Sequence, residues 1–196
     1  MTQNSVIGIT GITGSGTSTV SAILAEWGGY VISADKLARE VIQKGQPAYD
    51  EVVRVFGSSV IADSNRNQEI DRKALGAMVF GNPQKLALLE SIIHPAVISR
   101  VKDELSCSNV PFTVIDAPLL IESGLHKLCN SIWLVTARDD IRLARIMSRD
   151  GISIETARQR LNSRAGDDIL RPYANVIIEN NADIVSLRAL VERNQV

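Results

Sequence analysis

Gly11, Gly14 and Gly16 fall within a short stretch, 11–19, that directly follows the apolar run 6–10 and directly precedes helical spacing at Val20, Ile23, Leu24 and Trp27. Glycine reaches backbone conformations, and tolerates close approach of other chain segments, that any side chain would block. A strand that passes through such a turn into a helix sets that helix against the face of a sheet. The opening residues therefore constrain the fold to strands alternating with helices.

The rest of the chain keeps that alternation. Runs at 30–33, 113–116, 132–136 and 176–179 are short and almost continuous in apolar residues, and longer stretches of helical periodicity separate them. Strands buried on both faces read this way. The predicted fold class is α/β, a parallel five-stranded sheet flanked by helices, and 196 residues are sized for a single domain over 1–196. Between about 47 and 108 the pattern turns helical, with Val52, Val53 and Phe56, then Leu75, Val79 and Phe80, then Leu86, Leu89, Ile92 and Ile93 at helical spacing. Turns at 57–59, 63–67 and 81–83 punctuate it. This stretch is expected to be a helical insertion on a core made of about 1–46 and 109–196.

The glycine stretch also carries chemistry. It matches the phosphate-binding pattern G-x-x-x-x-G-K-[ST] at Gly11, Gly16 and Ser18, with Thr17 in the place of the lysine. Glycines let the backbone N–H groups of Gly11, Thr13, Gly14, Ser15, Gly16, Thr17, Ser18 and Thr19 converge on a phosphate, and the following helix adds the partial positive charge of its N-terminus. Ser18 is placed to offer its hydroxyl to Mg²⁺. A charge-assisted hydrogen bond is worth roughly 1.5–3 kcal/mol, so an uncompensated lysine would cost about 10- to 100-fold in rate. An arginine could compensate. The plainer alternative is a turn that only joins strand to helix.

Two carboxylates end strands. Asp35 follows the run 30–33, at the edge where ligands of open α/β sheets bind, and could accept a proton from an attacking hydroxyl. Arg39, four residues on along the same helical face, could hold an anionic group or orient that carboxylate. A helix cap is the plainer role for Asp35. Asp116 ends the run 113–116, where Mg²⁺ can be held through water, or it is simply a strand-ending turn residue.

Arg138, Arg142, Arg145 and Arg149 recur at intervals that place them along one side of a helix, and Arg158, Arg160 and Arg164 follow. A solvated basic face is one reading. The other is a helical lid over about 138–165, closing guanidinium groups over a transferring phosphoryl group.

A formal net charge of −1 provides no general attraction to nucleic acid or to an anionic membrane, and neither is expected as a partner. No apolar run approaches the roughly 20 residues of a membrane span, and no leader-like segment precedes the first strand. The predicted location is cytoplasmic, with Cys107 and Cys129 expected as small packing residues.

Together these pieces resemble the dephospho-CoA kinase family over nearly the whole chain. The resemblance is carried by the glycine loop, by Ser33-Ala34-Asp35-Lys36-Leu37-Ala38-Arg39 against a family pattern Asp-x-Asp-x-x-Ala-Arg, and by Ile70-Asp71-Arg72 with Leu75 and Phe80. Ile93-His94-Pro95, Pro118-Leu119-Leu120 with Glu122, and Asn180-Asn181 complete it. It implies a P-loop kinase core with a CoA-binding helical insertion and a lid. It implies ATP, Mg²⁺ and dephospho-CoA as ligands, with phosphorylation of the ribose 3′-hydroxyl as the last step of coenzyme A biosynthesis; a monomer or weak homo-oligomer is expected.

Residue by residue, the resemblance implies Asp35 as the base and Arg39, Pro118 and Leu119 as acceptor contacts, with His94 in the acceptor region. Arg145 and Arg149 would be lid residues, the first acting in catalysis and the second on the nucleotide. The sequence departs from the family pattern at Thr17, at Ser33 in place of the first aspartate, and at Arg164, where glutamine is common. Two other readings fit the same residues: a nucleotide- or CoA-binding paralogue with little catalysis, and a kinase whose acceptor is a different small-molecule hydroxyl.

Overall fold

The computed structural model describes residues 5–62, 68–162 and 166–194. In chain order its elements are β1 (Ser5–Thr10), α1 (Thr17–Glu26), β2 (Tyr30–Ser33), α2 (Ala34–Glu40), α3 (Tyr49–Phe56), α4 (Arg72–Val79) and α5 (Pro83–Cys107). There follow β3 (Phe112–Asp116), β4 (Ser131–Thr136), α6 (Asp139–Asp150), α7 (Ile154–Asn162), α8 (Asp167–Leu170), β5 (Val176–Glu179) and α9 (Ile184–Glu192). They fall into two compact units, one of Met1–Ser33 with Ser108–Val196 and the other of Ala34–Cys107. Among the described residues no helix is long and apolar enough to cross a membrane.

The first unit is the sheet. Its five strands run parallel in the order β2-β3-β1-β4-β5, as the apolar runs predict. On one face Ile7 and Ile9 of β1, Val114 of β3 and Trp133 and Val135 of β4 form a core with Val20, Ile23 and Leu24 of α1 and Leu187 and Val191 of α9. On the other face Leu134 packs with Ile12 and Leu170. Alternate residues of β4 thus bury in opposite directions, and each fully buried Leu, Ile or Val contributes about 1.5–3 kcal/mol. Gly8 lies mid-strand because a Cβ there would come within 2.6 Å of Cys129 Sγ and 2.8 Å of Leu120 Cδ2. Cys129 is therefore a packing residue, as expected.

The second unit is helical. Asp71 accepts hydrogen bonds from the N–H groups of Lys73 and Ala74 and so caps α4. Asn82 does the same for α5 through Lys85 N–H at 3.0 Å, with Pro83 at the first helical position. The helix then runs 25 residues, straight through Pro95. Pro95 removes one N–H from a helix whose remaining bonds hold. Cys107, expected to pack, is exposed at its end. The turn expected at 63–67 and Arg164 lie outside the described residues.

Candidate active site

β1 delivers the chain at Thr10 into the loop 11–16, which hands it to the N-terminus of α1. Its three glycines answer three separate demands. A Cβ on Gly11 would overlap Val135 O of β4; Gly14, at φ +84°, would place one 3.0 Å from Arg142 O; Gly16, at φ +98°, would drive one into Asn180 Nδ2. No side chain caps α1, so its leading N–H groups and the partial charge of the helix end are left for a ligand.

The loop is braced from outside. Arg142, buried on α6, donates from Nε to Thr13 O at 3.0 Å and from Nη1 to Asp139 at 2.8 Å. Arg145 donates to Ser15 O at 3.3 Å, to Gly14 O at 3.5 Å and to Asn180 Oδ1 at 3.1 Å. Asn180, buried just beyond β5, completes the set through Nδ2 to Ser15 O at 2.8 Å. Three successive carbonyls are thus turned outward onto side chains. Because N–H and C=O of a trans peptide point in opposite directions, the N–H groups of Gly14, Ser15 and Gly16 turn the other way. Ser15 N–H is used locally, on Ile12 O at 3.1 Å, while Ser15 Oγ is buried without a partner. An orphan hydroxyl flanked in the chain by the unspent N–H groups of Gly14 and Gly16 fits a phosphate oxygen.

Asp116 ends β3 half-buried, in register with Ile9 of β1 and with Ser33 of β2. An aspartate at position 33 would set two carboxylates side by side on neighbouring strands; serine avoids that repulsion. Beyond Asp116 the ladder continues through Ala117 N–H to Ile9 O at 3.0 Å. Pro118 and Leu119 are carried back to the loop, where they line a cleft with Gly11, Ile12 and Glu122. The Ser18 hydroxyl is exposed on the first turn of α1. Hydroxyl and carboxylate oxygens are the hard donors Mg²⁺ prefers, so Ser18 and Asp116 fit that ion.

In the helical unit, Asp35 is the second residue of α2 and is exposed, with Arg39 exposed one turn later. Ser33, not Asp35, precedes the first helical residue. His94 is half-buried on α5.

The arginine stripe divides. Arg138 stands before α6 and pairs with Asp140 at 2.9 Å, and Arg142 and Arg145 brace the loop. Arg149 pairs with Asp150 at 2.7 Å, a carboxylate that Arg160 of α7 also meets. The Arg149 hydrogen bond holds the Asp150 carboxyl below the usual carboxylate range. Sequence reasoning assigned no bracing role to Arg142 or Asn180; the asparagine pair that closes β5 was the one visible signal.

A family model, dephospho-CoA kinase, matches residues 5–186. The chain belongs to the dephospho-CoA kinase family. It is 38% identical over 186 residues to a dephospho-CoA kinase of Carboxydothermus hydrogenoformans, covering 93% of this chain and 89% of that one. A Thermus thermophilus crystal structure superposes with a TM-score of 0.82 at 31% identity, covering 99% of this chain and all of the other. Dephospho-CoA kinase from Campylobacter jejuni follows with a TM-score of 0.67 at 28% identity, covering 96% and 94% of the two chains. In this chain the residue in the lysine position is Thr17, half-buried as the first residue of α1, whose carbonyl accepts Ser21 Oγ–H at 3.0 Å.

Proposed function

We propose that the chain transfers the γ-phosphoryl group of ATP to the ribose 3′-hydroxyl of dephospho-CoA, giving CoA and ADP. The observation that carries this reading is the phosphate loop, with outward carbonyls, unspent N–H groups and an uncapped helix end, in a member of the dephospho-CoA kinase family. The loop 11–19 holds the β- and γ-phosphates through those of its N–H groups that no backbone carbonyl takes. Asp35 takes the proton of the 3′-hydroxyl as its oxygen bonds to the γ-phosphorus and the bond to the β–γ bridging oxygen breaks. The Ser18 hydroxyl, with Asp116 through water, would hold Mg²⁺, which would supply neutralisation of phosphate charge.

Arg39, His94, Pro118 and Leu119 serve the acceptor, Arg145 the transition state by way of the loop carbonyls it engages, and Arg149 the nucleotide. The stretch 47–108 is the acceptor-binding insertion and 138–165 the lid of a single 1–196 domain. We place the reaction in the cytoplasm, in a monomer or weak homo-oligomer.

A coupled ADP-release assay with and without dephospho-CoA tests this reading: release should depend on the acceptor. Folded protein that releases no ADP above the uncatalysed background overturns it. Thr17 supports a second reading, a nucleotide-binding relative with little catalysis, which predicts thermal stabilisation by Mg·ATP without product. A panel of other hydroxyl acceptors in the same assay separates a change of substrate from a loss of activity.

A further inference from the structure

The positive charge that Thr17 does not bring from within the loop is present just outside it. Arg142 has a side chain only 4% exposed, and a guanidinium that deep requires partners for its donors. Thr13 O and Asp139 supply them. Asp139 is itself 78% exposed, so solvent screens the anion far more than the cation. Asp168 is solvated and paired with Arg171. Asp167, the other carboxylate lining the cleft beside Arg142, has Oδ1 buried without a hydrogen-bond partner and its carboxyl pushed up by burial. It does not draw the guanidinium off Thr13 O.

A cation on a carbonyl oxygen polarises the whole peptide unit and makes its N–H a stronger donor. The N–H on the peptide that Arg142 engages is that of Gly14. Arg145 engages the next two, whose N–H groups are those of Ser15 and Gly16, and Asn180 fixes its guanidinium through the 3.1 Å bond.

Resting on the reading that loop 11–19 binds the triphosphate, we propose that Arg142 is a positioning residue. From behind the loop it turns the Gly14 N–H toward the phosphates and supplies the positive charge that a lysine at position 17 would supply from inside. It acts through the Thr13–Gly14 peptide and touches no phosphate. Arg142 and Thr17 are therefore energetically coupled across the loop.

The test is calorimetric titration of the full chain with Mg·ATP for the wild type, Arg142→Lys, Arg142→Gln, Thr17→Lys and the double variant Thr17→Lys/Arg142→Gln, with a thermal melt of each. Arg142→Gln should weaken binding about tenfold, the scale of one charge-assisted hydrogen bond. Arg142→Lys, which keeps the charge, should recover at least half of that loss on a logarithmic scale. Thr17→Lys should strengthen binding about tenfold more in the Arg142→Gln background than in the wild type. Equal gains in the two backgrounds, or wild-type affinity in Arg142→Gln, overturn the proposal.

Should Arg142→Gln not fold, Asp139→Asn reads the same claim on an exposed side chain. Releasing Arg142 from its counter-charge should tighten Mg·ATP about twofold, and no change or a loss overturns the proposal. Turnover of dephospho-CoA is measured separately. An inactive wild type that still binds Mg·ATP refutes the assigned reaction and leaves the Arg142 comparison to be read; a wild type that binds no Mg·ATP refutes the role of Arg142.

Discussion

The phosphate loop and the helical unit Ala34–Cys107 are held together by different kinds of contact. Around the loop the braces join residues far apart in sequence: Arg142 to Thr13, Arg145 and Asn180 to Ser15. There is no room for a methyl group at Gly11 or Gly16. In the helical unit much of the wiring is local, with Asp71 capping α4, Asn82 capping α5 and Lys36 meeting Glu40 one turn along α2 at 3.7 Å. Apolar side chains there are left open to solvent, Phe80 at 91% exposure above all. Phosphate is the same in every nucleotide, so its cradle can be rigid and close-fitting; on the function proposed above the helical unit serves the acceptor, a task for open side chains. The lesson is that mutational tolerance should differ sharply between the two regions.

The largest effect expected from this contrast is on chemistry without binding. Asp35→Asn should lower kcat by about 10²- to 10⁴-fold while the Kd for Mg·ATP stays at the wild-type value, as the proposed role of acceptor-side base requires. An equal loss in both would place Asp35 in the nucleotide site instead. Next comes Gly16→Ala, which forces a side chain into φ +98° and onto Asn180. It should weaken Mg·ATP by about 100-fold and cost on the order of 1–3 kcal/mol of stability, read from a denaturant melt. If alanine is accepted there, the loop is not the close-fitting region.

Phe80→Ser should do the reverse, moving stability by no more than about 0.5 kcal/mol and leaving Mg·ATP affinity unchanged. Any defect should appear in the KM for dephospho-CoA, and a shift in nucleotide affinity would break the separation of the two regions.

The smallest effect contrasts the two thiols. Burial pushes Cys129 up to about 12, so at pH 8 its reactive thiolate is scarce and its Sγ is packed against β1. Iodoacetamide should label exposed Cys107 in the native protein and Cys129 only after denaturation, with peptide mass spectrometry as the readout. Early labelling of Cys129 would mean that the sheet unit opens more readily than its packing suggests.

Much of this architecture is legible in residue order. The apolar runs locate all five strands, with β1, β3 and β4 each starting one residue earlier than expected. The glycines, Ser18, Asp116, Pro118 and Leu119 converge on one edge of the sheet because each follows a strand that the pattern already marks. The arginine stripe is less legible. Helical spacing says that Arg142, Arg145 and Arg149 share a side, yet one is buried against the loop, one bridges to Asn180 and one turns to its neighbour Asp150. Spacing is a property of one helix; burial depends on what lies across from it. Pro95 shows the same rule from the other side, since its local preference against a helix interior is overridden by the rest of α5.

By itself the sequence determined the α/β class, the phosphate loop, the neutral residue at position 17 and the family pattern that ties them together, because periodicity and glycine placement are local and act before any long-range contact forms. Only the tertiary structure decided which arginine supports the loop and which carbonyls face outward. Those outcomes depend on α6 and the end of β5 being brought against residues that lie more than a hundred positions away in the chain, and no local preference encodes that meeting.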